Sequence, residues 1–343
     1  MKRRLLLIVL FLFLFTGCSK STSSKRTLNV LNWSSYIPDS VILDFEKKTG
    51  INVNYMTYSS NEELLAKVSV AKEGTYDLVF PSDYMVEVMI KRGLIEEIDK
   101  SRLNNISNLN TDYMDMEYDP GNVYTLPFIA TSTILSVNTD IIKEEITSYN
   151  DLLNPSFKNE IVLIDDQRII IGMALLANGF DMNSTNTTEL RMAKNWLLKL
   201  KDNLKAYDSD SPKNFLISKE ASIAVLWNAE GALASMENSS IKNIVPKEGV
   251  ALSTDNFAIP KGAKNIDELY TFIDYILEPS VMAKIIESYP YKSINTLSYK
   301  YLSDEYKNNN AANFGLDVVE NGHFVKNSGE HIALYDRVWA EIK

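Results

Sequence analysis

The sequence predicts an α/β fold of two lobes, each a mostly parallel sheet flanked by helices. Three observations lead there. Short apolar runs alternate with amphipathic helical stretches from about residue 27 onward. A second series of the same kind begins after about residue 133. The chain of 343 residues also exceeds what a single hydrophobic core usually organises.

The elements follow in order. Residues 27–32 read as a strand, and a helix is expected over about 39–49. Pro38 stands near the helix start, Val41, Ile42 and Phe45 share one face, and Gly50 is a C-terminal stop. Ile51 to Tyr55 alternates as a strand does. Ser60-Asn-Glu-Glu63 is a capping box for a helix that ends near Gly74. Tyr76 to Phe80 is the third strand, punctuated by Pro81-Ser-Asp-Tyr84. The second series has a strand at Glu160–Ile164, a helix from Gln167 to Asn178 and a strand at Ala221–Leu226. A further helix at about 265–277 carries Ile266, Leu269, Tyr270, Ile273 and Leu277 at helical spacing.

The first 17 residues form a targeting segment. Lys2-Arg3-Arg4 is followed by an apolar run from Leu5 to Phe15, too short for a permanent membrane helix. The sequence Phe15-Thr-Gly-Cys18 resembles the bacterial lipobox, which implies that Cys18 is acylated and becomes the first residue of the mature protein. Cys18 is the only cysteine, and an exported lone thiol would otherwise be oxidisable. Residues 18–26 read as a polar tether, and the expected product is exported and held on the membrane by lipid. The formal charge is −10, and loss of the three leader cations makes it −13. That balance argues against nucleic acid and favours cationic ligands.

Motifs for catalysis are absent from the sequence. The two histidines, His323 and His331, lie in no HExxH, so no metal site is expected. There is no phosphate-cradling glycine loop, no dinucleotide fingerprint and no Gly-x-Ser-x-Gly elbow, so no cofactor is expected. Aromatics and acids instead gather at predicted strand ends: Trp33 and Tyr36 with Ser34, Ser82 with Asp83 and Tyr84, Asp165 with Asp166, Trp227 with Glu230, and Asp255. In open α/β sheets, ligands sit beyond the carboxyl ends of strands. Ring faces with carboxylates at intervals suit a flexible organic cation, because methylenes pack on rings and ammoniums meet ring faces and carboxylates. Each residue also has an ordinary alternative. Trp227 fits a core, and one of Asp165 and Asp166 is expected to cap the helix at Gln167.

These residues also carry a resemblance. From about Leu28 to the C-terminus the chain resembles the polyamine-binding proteins of bacterial ABC importers, of the spermidine- and putrescine-binding type. The matching segments are Asn32-Trp-Ser-Ser-Tyr-Ile-Pro38, Tyr76-Asp-Leu-Val-Phe-Pro-Ser82 with Tyr84, Asp165-Asp-Gln-Arg168, Leu226-Trp-Asn228, Pro246-Lys-Glu-Gly249, and Asp255 ahead of Ala258-Ile-Pro260. The resemblance implies a two-lobed periplasmic-binding-protein fold of type II, with the ligand cleft between the lobes. It implies lobes of 27–132 with 256–303 and of 133–255 with 304–343, and a monomer that hands its ligand to ABC permease subunits. It also implies that Trp33, Ser34, Tyr36, Ser82 and Tyr84 line the cleft from one side and Asp166 and Trp227 from the other. Asp255 would hold an ammonium, and Tyr289 would add a ring, with Tyr291 as its alternate.

The chain departs from that family at four places. Spermidine binders have glutamates where this chain has Ser35 and Ile169, a tryptophan at Ser253 and a glutamine at Val325. Putrescine binders carry an acid where Glu230 stands, so charge counting leans toward the two-ammonium ligand. The alternatives are the same fold tuned to another small solute, a surface adhesin, and a thiamin-degrading type of enzyme. The last needs a cleft nucleophile, and the one cysteine is in the leader.

Overall fold

The computed structural model describes residues 26–343. The leader, Cys18 and the tether up to residue 25 lie outside the described residues. Strands β1 (Thr27–Trp33), β2 (Asn52–Tyr58) and β3 (Leu78–Val79) alternate with helices α1 (Asp39–Thr49), α2 (Asn61–Val70) and α3 (Asp83–Lys91). β1 lies between β2 and β3 and pairs with both in parallel, as expected of β-α-β crossovers. In α1, Val41, Ile42 and Phe45 are buried on one face. Gly50 then adopts φ 71° and its N–H bonds to Glu46 O, a left-handed cap open to glycine at no steric cost.

Two expected boundaries move, for identifiable reasons. The α2 helix stops at Val70, short of Gly74. Gly74 (φ 74°) donates its N–H to Gly262 O instead, so it turns the chain and caps nothing. At the other end of α2, Ser60 accepts from Glu63 N, but the Glu63 carboxylate bonds to Ser59 instead of returning to Ser60. The β3 ladder covers only two residues because its flanks are taken by side chains. Asp77 accepts from Asn29, Lys264 and Asn265, and Phe80 O accepts from Trp33 and Tyr58.

The second half is organised around β4 (Thr125–Asn138), a strand buried along all 14 residues. Its first part, up to Ser132, runs antiparallel to β9 (Ala251–Pro260). From Thr133 it runs antiparallel to β7 (Ile223–Trp227) and, from Leu135, to β8 (Ile241–Ile244). The strand thus passes from one lobe to the other and changes partners at residues 132 and 133. Beyond β7 lie β5 (Ile161–Leu163) and β6 (Leu204–Tyr207), both parallel to it in sense, giving the order β2-β1-β3-β9-β4-β7-β5-β6. Helices α4 (Gln167–Ala177), α5 (Thr187–Leu200), α6 (Lys213–Ile217) and α7 (Asn228–Glu237) cover the second lobe. Helices α8 (Ile266–Ile276) and α9 (Pro279–Ser288) return to the first, and α10 (Ile332–Ile342) packs on α4 and α5. This is the two-lobed α/β arrangement, with parallel strands outermost and the antiparallel crossing strands in the middle.

Among the described residues, no helix is long and apolar enough to cross a membrane, and no group of three histidine, cysteine or acidic side chains is arranged to hold a metal ion.

Candidate functional site

The carboxyl ends of β1, β3, β5 and β7 converge on one cleft between the lobes. It encloses about 60 Å³ and is lined by Trp33, Ser34, Tyr36, Ser82, Tyr84, Asp166, Trp227 and Asp255. Eight residues singled out from the sequence therefore meet, although they come from segments up to about 220 positions apart.

Asp255 forms the floor. It sits on β9 where the register to β4 shifts between Asp255 and Asn256, and the bulge turns its side chain to the β3 end. Its Oδ2 accepts from the Tyr36 hydroxyl at 2.6 Å and its Oδ1 from Ser82 Oγ at 2.6 Å. Asn61 Nδ2 donates to Ser82 Oγ in turn, so the hydroxyl is oriented from behind. Asp255 is 2% exposed. Burial opposes its charge more than the hydroxyls favour it, and the carboxyl is pushed up to about 6. The floor is an acid supplied with neutral donors and lacking a cation.

Aromatic rings form the walls. Trp33 lies 4.5 Å from Tyr58 and 6.1 Å from Tyr36, and Tyr36 lies 4.8 Å from Tyr291, all between ring centroids. The Trp33 indole is held by its Nε1–H to Phe80 O at 3.0 Å. Trp227 closes the opposite side from the end of β7.

Asp166 is the partly buried acid that the second lobe brings to the cleft, where the exposed Asp210 also lines it. Asp166 caps α4, with Oδ1 accepting from Arg168 N at 2.9 Å and Ile169 N at 3.0 Å. Burial raises its pKa against those bonds. Facing it from the first lobe is Glu62, whose Oε1 accepts from the Tyr84 hydroxyl at 3.3 Å. Burial and then the Asp166 charge raise the Glu62 carboxyl. The same rim holds a cation. Arg168 lines the cleft, donates to Lys326 O at 2.9 Å, and lies 4.4 Å from the Tyr335 ring and 5.9 Å from that of Tyr84. Glu62, Asp166 and Arg168 together leave one negative charge at the rim.

Three expected residues do not line the cleft. Asp83 turns beneath β9, where Ser253 Oγ and Thr254 N donate to it at 3.0 Å and 3.3 Å. Burial lifts it to about 7, and it borders a neighbouring groove of about 670 Å³. Glu230 lies one helical turn behind Trp227 and faces Lys213, Oε2 to Nζ 3.5 Å. Tyr289 ends α9 and packs on the first lobe's core, while Tyr291 takes the place at the cleft. The lining also includes Thr131, Ser209 and Asp210, with Asn61, Arg168 and Ile169. In the sequence Asn61 and Glu62 are parts of a helix start, and nothing in the local pattern marks them otherwise. Ser209 and Asp210 follow a strand end, β6, and that rule would have reached them.

Chemically, the cleft is a slot with π-faces, a buried acid on the floor, one net acid from Glu62, Asp166 and Arg168 at the rim, and the exposed Asp210 in its lining. The chain matches the family model for the bacterial extracellular solute-binding protein over residues 40–313. It is 36% identical over 320 residues to a spermidine/putrescine-binding periplasmic protein of Escherichia coli, covering 93% of this chain and 92% of that one. A putrescine-binding periplasmic protein of the same organism is 30% identical over 307 residues, covering 84% and 83%. Among solved structures, the lipoprotein TpPotD of Treponema pallidum superposes with a TM-score of 0.84 at 27% identity, covering 93% of this chain and 99% of that one.

Proposed function

This chain belongs to the bacterial extracellular solute-binding protein family, and from that premise we propose that it is a receptor that binds a polyamine outside the cytoplasm and delivers it to an ABC permease. The observation that carries the reading is Asp255, a buried carboxylate under aromatic walls whose side-chain donors, the Ser82 and Tyr36 hydroxyls and the Trp33 indole, are all neutral. A ligand ammonium supplies the missing charge. A second ammonium lies at the rim between Asp166 and Glu62, beside the Tyr84 ring, and the methylenes between them pack on Trp33 and Trp227. Asp255 on the floor and the cluster of Glu62, Asp166 and Arg168 at the rim each offer one net acid, which matches a diamine, while Asp210 is an exposed acid of the lining. The protein acts without catalysis.

The lobes are 27–132 with 256–303 and 133–255 with 304–343. They hinge near residues 131 and 255, where the crossing strands exchange partners, and they close because each lobe supplies only part of the cage. The mature chain is a monomer held on the outer face of a membrane by lipid on Cys18. Mass spectrometry of the natively processed N-terminus tests that anchor: an unmodified Cys18, or cleavage elsewhere, removes it.

Thermal unfolding with a panel of putrescine, spermidine, a sugar and thiamin tests the ligand class. A ligand at 100 times its dissociation constant adds about 2.7 kcal/mol, or roughly 4 °C for a chain of this length. No shift with either polyamine at saturation, in protein stripped of co-purified ligand, would overturn the reading, and a shift with another solute would redirect it.

A further inference from the structure

We propose that Lys213 is a built-in ammonium that occupies Glu230 and thereby limits the number of ligand charges the cleft accepts. The inference rests on the polyamine reading above and concerns selectivity within it.

The two residues come from segments that each border the cleft. Ser209 and Asp210 line it, and Lys213 opens α6 three residues later. Trp227 lines it, and Glu230 stands in the first turn of α7. Glu230 is 8% exposed, and its Oε2 has no hydrogen-bond partner; the Lys213 ammonium, 3.5 Å away, is what faces it. Tyr291 borders both the pair and the floor: its ring lies 4.8 Å from that of Tyr36, and its hydroxyl feels the Glu230 charge ahead of that of Asp255. Asp208 is the other charge acting on Glu230, and its Oδ1 is already taken by Asp210 N and Ser211 N.

An unneutralised acid at this place would be a third station for an ammonium, one ring away from the floor. With Lys213 present the pair is self-neutral, and a third ligand ammonium would find no free acid there. An isolated buried carboxylate recruits a cation or takes up a proton, whereas a paired one does neither. Lys213 thus does internally what a longer ligand's extra charge would do.

The experiment is calorimetric competition between putrescine and spermidine at fixed salt and pH 8. The unmodified protein comes first: binding of neither polyamine fails the polyamine reading itself, before any variant is made. Lys213→Met keeps the straight side chain and frees Glu230. The spermidine-to-putrescine affinity ratio is expected to rise at least tenfold, and a change within threefold in folded protein overturns the proposal. The double variant Lys213→Met/Glu230→Gln replaces the pair by neutral groups of similar shape, a change that buried ion pairs commonly tolerate. It is expected to return the ratio to that of the unmodified protein and to bind putrescine within threefold of it. A tenfold or greater loss of putrescine affinity in the double variant means that Glu230 holds the ligand directly and the proposal is wrong.

Discussion

Replacing Asp255 by asparagine is expected to stabilise the empty protein and to cripple binding. The carboxyl is lifted from its ordinary 3.8 to about 6, so at pH 8 the charged form carries about 3 kcal/mol of uncompensated burial. Asparagine removes that charge at nearly the same shape. It also turns one acceptor into a donor, so the Tyr36 or the Ser82 hydroxyl must reverse, at about 1 kcal/mol. The remainder, about 2 kcal/mol, raises the melting temperature of the ligand-free protein by roughly 3 °C. Binding moves the other way. Removing one side of a buried charge pair costs about 2–5 kcal/mol, which is roughly 30- to several-thousand-fold in affinity. The pH dependence carries the same signature. In the unmodified protein, protonation of Asp255 competes with the ligand below its pKa of about 6; at pH 5 this lowers affinity roughly tenfold from the plateau. That component should vanish in the variant. Titration calorimetry at pH 5 and pH 8, with thermal unfolding of stripped protein, measures all three effects. A variant that binds putrescine within threefold of the unmodified protein, or that keeps the full pH dependence, would refute the placement of an ammonium on Asp255.

Three further outcomes are expected. Asp83 and Asp255 both have folded pKa values raised, to about 7 and about 6, so their contribution to stability is fully present below 3.8 and is lost as pH rises through those values. Thermal unfolding of ligand-free protein should show a fall between pH 5 and pH 8 that Asp83→Asn flattens; an unchanged profile counts against a buried, proton-binding Asp83. Glu62→Gln should weaken putrescine roughly three- to tenfold, as expected of a half-solvated partner, with the loss shrinking at high salt. An effect that is independent of salt would mean that Glu62 acts through packing. Ile169 is 4% exposed and lines the cleft, so Ile169→Glu should place a buried acid there and shift the spermidine-to-putrescine ratio upward by about tenfold. A ratio that stays put in folded protein would show that the third ammonium does not pass this position.

Much of the architecture was legible in the sequence because its causes are local. Pro38 and Gly50 bracket α1, apolar spacing marks its buried face, and the runs before Trp33, Ser82, Asp166 and Trp227 announce strands that stop where polar residues begin. The rule that ligands sit beyond strand ends then gathered most of the lining. What local pattern leaves open is which of two neighbouring acids or rings faces the cleft. Asp166 caps α4 and lines the slot, while its neighbour Asp165 reaches Lys343 at 2.6 Å. Ser82 holds Asp255, while Asp83 is drawn under β9 by Ser253 and Thr254. Tyr291 takes the place expected of Tyr289, Glu230 is claimed by Lys213, and Glu62 joins Asp166 across the lobes. Most of these choices turn on a partner tens to hundreds of residues away in sequence. A buried carboxylate goes where donors or a cation meet it, and only the crossing of β4 and β9 between the lobes brings those partners within reach.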